Sequence, residues 1–164
     1  MTDWLRRAGR GRLPHDDIVL WSVAEGKHGR RWRWMHDVHQ GLMGSSGMIE
    51  LLPDGRLGRL ELADIGGLLT FHPEPDGQSA HGNIVTSDGV KPIETAWQPE
   101  WRVGIVDDPF GSALAGWVGT GLVVTFQDWI VWREPGKHDD VRTLERDERG
   151  IPILDDALEW PLEE

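Results

Sequence analysis

Residues 30–38 read RRWRWMHDV, and the alternation inside this stretch decides the fold. Successive side chains of an extended strand point to opposite faces. Trp32, Trp34 and His36 therefore share one face, while Arg31, Arg33 and Met35 share the other. A single-strand nucleic-acid platform needs aromatic rings and cations on one exposed surface. Here they are separated. The stretch reads as a half-buried strand with its tryptophans turned inward and its arginines facing water or acidic neighbours.

The same period-2 rhythm runs outward in both directions. IVLWSV (18–23) precedes the stretch, with EGKHG (25–29) as the turn between them. GMIELL (47–52), Pro53-Asp54-Gly55 and RLGRLEL (56–62) form a hairpin signal. GNIVTS (82–87), Asp88-Gly89 and VKPIETAW (90–97) form a second. Asp-Gly marks tight turns because glycine accepts the positive φ they require. LVVTF (122–126) and WIVWRE (129–134) flank Gln127-Asp128 as a third, apolar on both faces. GLLTFH (67–72), WRVGIV (101–106) and a shorter pair, VRTLERD (141–147) with IPIL (151–154), complete roughly ten short strands. The expected class is all-β: a single-domain antiparallel β-barrel or barrel-like sandwich with one or two short helices. One helix is expected over 109–117, where Phe110, Ala113, Leu114 and Trp117 follow helical spacing, Asp108 caps and Pro109 starts the turn. A second is expected at 155–160. Residues 1–15 read as a basic appendage and 16–164 as one domain.

Composition narrows the chemistry. At 164 residues the chain is long enough for one sizeable core. With no cysteine, disulfides, thiolate metal sites and thiol nucleophiles are excluded. Ten Trp and no Tyr leave acid–base work to His, Asp, Glu or Lys. No apolar run reaches the roughly 18 residues of a membrane span, and the N-terminus lacks the apolar core of a secretory signal. A soluble, cytoplasmic protein with no membrane partner is the expectation. The net charge is −11, yet residues 1–35 are basic: eight Lys/Arg against four acids. The remainder is strongly acidic and repels nucleic acid, so no nucleic-acid partner is expected. The basic segment is expected to fold back on the acidic body.

No motif carries a reaction outright. His36-Asp37-Val38-His39 resembles a metal-ligand spacing, but on a strand its histidines face opposite ways; neither a metal nor a cofactor is expected. GLMGSSG (41–47) and GWVGTG (116–121) lack the lysine of a phosphate loop and read as bulges or loops. Gly44–Gly47 is too short for a serine-hydrolase elbow. The acid pairs Asp16-Asp17, Asp107-Asp108, Asp139-Asp140 and Asp155-Asp156 read as solvated caps and turns. The expected function is binding of a small, largely apolar ligand inside a Trp-lined barrel. Trp32, Trp34 and Phe71 are its expected walls, and His36 or His72 its polar handle and source of any proton-transfer chemistry. The alternative is an acidic protein–protein module, of inhibitor or immunity type, that binds a basic partner.

Overall fold

The computed structural model describes residues 6–14, 17–38, 42–125 and 127–161. Eight strands follow one another as an antiparallel meander: β1 (Arg6–Arg12), β2 (Ile18–Gly26), β3 (Gly29–Val38), β4 (Leu42–Leu51), β5 (Leu57–Asp64), β6 (Gly67–Pro73), β7 (Ser79–Thr86) and β8 (Gly89–Ala96). Each pairs with the next. The three hairpins marked by Asp-Gly or Gln-Asp are present, with Gly55 and Gly89 at φ of 85° and 129°. A second, three-stranded sheet is made by β9 (Arg102–Ile105), β10 (Gly121–Val124) and β11 (Trp129–Trp132). The helix α1 (Pro109–Leu114) lies between β9 and β10. A final strand, β12 (Asp155–Trp160), returns to pair with β1.

The all-β expectation holds, and four details depart from it. The expected pair of 141–147 with 151–154 is reduced to a single bridge between Arg146 and Pro152. The nine-stranded sheet runs from β12 at one edge to β8 at the other and is not closed. β9 and β10 are parallel, joined by a crossover through α1. A parallel pair cannot be linked by a tight turn, and residues 106–120 supply the longer connection it needs. Residues 155–160 form strand β12 rather than a helix. The unpaired edge of β1 offers that segment a ladder of pairing, broken only by a register shift between Arg10 and Arg12, which a single turn of helix cannot match.

Arg6–Arg12, expected to belong to a basic appendage, form β1 inside the large sheet. Arg7 meets Glu159 at 2.8 Å and Arg12 meets Asp156 at 3.5 Å, so basic β1 lies against acidic β12. At the opposite edge Lys91 of β8 donates to Asp128 in the β10–β11 turn. That bond, followed by the Trp129 backbone N–H, holds the Asp128 carboxyl below the ordinary carboxylate range.

Register explains the core. Val23, Trp32, Ile49, Leu60, Phe71, Gly82 and Ile93 lie opposite one another from β2 to β8. Trp21, Trp34, Gly47, Leu62, Leu69 and Ile84 form the next row. These side chains make one continuous core with Val103, Ile105, Leu122 and Val124 of the small sheet. The other face of the small sheet is covered too, by Trp117 and Val141 against Val123. Burial on both sides is why Gly121–Val124 shows no polar face, whereas Ile130 of β11 stays exposed.

Candidate functional site

The inner face of β3 ends at a break in pairing. Met35 lies opposite Ser46 and Asp37 opposite Met43, so Gly44 and Ser45 of β4 together oppose His36. Two residues against one is a bulge, which bends its strand and re-aims nearby side chains. The Gly-Ser-Ser-Gly run thus serves as a bulge beside a histidine.

Across the core, β9 ends in a turn that delivers Asp108. Asp107 adopts a φ of 61°, the left-handed region that Asp tolerates better than most residues. Asp108 then caps α1, accepting from Gly111 N at 2.9 Å. Ser112 locks this turn to β9: Ile105 N donates to its Oγ at 2.8 Å, and the same Oγ donates to Ile105 O at 3.0 Å. The expected cap is therefore real, and it has a second role.

The Asp108 carboxylate is 2% exposed and meets three donors. Trp34 Nε1 donates to Oδ2 at 2.8 Å. Gly111 N donates to Oδ1, and His36 Nε2 lies 2.9 Å from the same oxygen. Two N–H groups already fix both oxygens as acceptors, so the imidazole presents its Nε2 hydrogen to the carboxylate. In a neutral ring this leaves Nδ1 as a lone-pair acceptor. No hydrogen bond to Nδ1 is made by any described residue. A buried carboxylate that orients an imidazole is the arrangement that prepares a histidine to accept and return a proton.

Trp34 is held by its neighbours as firmly as by this bond. Gly47 lies opposite it, and a Cβ there would sit 2.2 Å from Trp34 Cζ2. Gly47→Ala is expected to lower stability by about 1–3 kcal/mol through overpacking. Denaturant unfolding measures this, and an unchanged midpoint would show that the indole has room to move.

His36 lines a cleft of about 580 Å³ at this end of the molecule, within the range of small-molecule sites. Leu13, Pro14, Pro109 and Leu144 supply its apolar wall. Asp17, Asp107, Asp139, Asp140 and Arg142 supply charge, and Ser45 and Thr143 supply hydroxyls. A second recess of about 350 Å³ adjoins it, sharing Ser45 and Asp107.

The five residues expected to bind a ligand separate into three groups. His36 lines the cleft, and Trp34 stands behind it on Asp108. Trp32 is 1% exposed, with its ring centroid 5.9 Å from that of Trp21. Phe71 is fully buried, edge-on to Trp97 at 5.3 Å. Both pack in the core and neither lines the cleft. His72 lies on the outer face beside His81, and both approach Glu74 Oε1, at 3.2 and 2.7 Å. Among the described residues no group of three His, Asp or Glu side chains is placed to hold a metal ion. His39, the partner in the His36-Asp37-Val38-His39 spacing, lies outside the described residues.

Sequence reasoning missed Asp108 as the partner of His36. Helical spacing after Asp108 signals the cap, but nothing local signals a histidine 72 residues away. No helix among the described residues is long and apolar enough to cross a membrane. Comparison with protein-family models, with curated proteins and with solved structures returned no match.

Proposed function

We propose that the protein binds a small molecule in the cleft beside α1, with His36 as its polar and acid–base contact. The observation that carries this reading is the His36–Asp108 pair: a 93% buried histidine, fixed through Nε2, whose remaining nitrogen has no partner among the described residues. A histidine with a purely structural role usually has both nitrogens satisfied or solvated. The reading keeps a small ligand and His36 from the sequence expectation. It moves the seat from a Trp-lined interior to the rim, because Trp32 and Phe71 are consumed by packing. It also replaces a largely apolar ligand with one that meets both apolar and charged walls.

The test is a fragment screen read by NMR of the histidine rings in the full chain. Binding fragments are expected to shift the His36 ring signals and leave His72 and His81 unmoved. His36→Gln retains an N–H donor for Asp108 but removes the ring acceptor. It is expected to weaken those fragments about tenfold, the value of one lost hydrogen bond to a charged or well-oriented group, while preserving the thermal midpoint. A library that never perturbs His36 would refute the proposal.

A further inference from the structure

We infer that the ligand of this cleft is an organic cation, an amine or guanidine that donates N–H to His36 Nδ1. This rests on the cleft reading above and adds the chemical class. Two independent observations meet here. The first is the charge of the lining: Asp17, Asp107, Asp139 and Asp140 against Arg142. None of these five side chains has a hydrogen bond or ion pair to any described residue. Acids without a partner among the described residues occur elsewhere too, Glu94, Glu100 and Glu134 among them; what sets these aspartates apart is that they line one concave space. Carboxylates facing one concave space with low-dielectric walls focus a negative potential into it, and Asp108 adds a further negative charge behind the ring.

The second observation is His36 itself. Its side chain is 91% buried, it lines the same space, and in the neutral ring its Nε2–H bond to Asp108 leaves Nδ1 as an acceptor rather than a donor. An anionic ligand would meet excess negative charge and an acceptor nitrogen at once. A neutral ligand would leave the carboxylates uncompensated as water is displaced. A bare metal ion is disfavoured because, among the described residues, no three acidic or histidine side chains converge on one point. An organic cation satisfies both features. Its charge sits among the aspartates, its N–H reaches Nδ1, and its carbon skeleton covers Leu13, Pro109 and Leu144.

The experiment compares benzylamine, benzyl alcohol and benzoate, three probes of one shape and different charge, on the full chain by calorimetry and His36 NMR shifts. Agmatine serves as a longer guanidine probe. Benzylamine or agmatine is expected to bind at least about tenfold more tightly than benzyl alcohol, with benzoate weakest. Raising salt from about 20 to about 300 mM should weaken the amines several-fold and leave the alcohol unchanged. The double variant Asp139→Asn, Asp140→Asn should lose most of the preference for amine over alcohol. Both positions are exposed, so the fold is expected to survive this change. Equal or tighter binding of benzyl alcohol or benzoate, or no binding of either cation, overturns the inference. The cleft reading itself falls only if the wider fragment library also leaves His36 unperturbed.

Discussion

Asp108→Ala is expected to destabilise the protein by about 3–5 kcal/mol, the cost of breaking a buried charged network by removing its central member. The variant strips acceptors from three donors at once: the Trp34 indole, the Gly111 backbone and the His36 ring. The indole and ring are buried and have no alternative partner among the described residues. It also removes the cap of α1, which alone is worth about 1 kcal/mol. Asp108→Asn should fall between this variant and the native chain. An amide has one acceptor oxygen and one donor nitrogen. Whichever way it is flipped, one N–H of the protein faces another N–H: Trp34 in one orientation, Gly111 in the other. Denaturant unfolding gives the energies, and nitrogen chemical shifts of the His36 ring report loss of the Nε2–H tautomer. Equal stability of the aspartate, asparagine and alanine forms would mean that the three contacts carry no net energy.

Trp32→Ala is expected to cost a similar amount, about 3–5 kcal/mol, for a different reason. Trp32 is packed from β2 by Val23 and Trp21 and from β4 by Ile49, with the Arg30 guanidinium 5.9 Å from its ring centroid. Truncation removes a large buried surface and leaves a void that stiff neighbours cannot close. The result discriminates between a tryptophan that fills a core and one that lines a ligand pocket. A pocket-lining residue would cost far less in the unliganded protein, because one side of its ring would already lack packing partners. His36 ring shifts should be largely preserved in this variant, which separates damage to the core from damage to the site.

Much of the fold was legible because β3 and its neighbours obey a local rule. Trp32 and Trp34 alternate with Arg31 and Arg33, and the buried and exposed sides follow that order. Asp54-Gly55 and Asp88-Gly89 mark turns through a backbone preference that needs no knowledge of the partner strand. Pairing between distant segments has no such local mark. WRVGIV and LVVTF carry apolar residues on both faces whether their neighbours are parallel or antiparallel, so the crossover through α1 could not be read from them. In DDALEW the spacing of Ala157, Leu158 and Trp160 suits one turn of helix about as well as a short strand, and the free edge of β1 decides the matter.

The site was half legible for the same reason. Strand alternation placed His36 on the inner face beside Trp34. Helix-start chemistry singled out Asp108 as a cap. Joining the two requires the register of a nine-stranded sheet and the docking of a second layer upon it. The acid pairs show the limit most clearly. Asp107-Asp108 looks like any solvated pair at an element boundary, yet Asp108 is buried while Asp107 is exposed. The difference arises from a φ of 61° at the first of them, which turns successive side chains toward different environments.

The position of Asp108 on one layer and of His36 and Trp34 on the other couples two processes. The carboxylate and the groups it holds meet only when the β9–α1–β10 unit rests on the large sheet. A molecule seated against His36, between Leu13 of one layer and Pro109 of the other, would bind the joined state and not the parted one. Its occupancy and the cohesion of the two layers would then be a single linked equilibrium, each raised by the other through mass action.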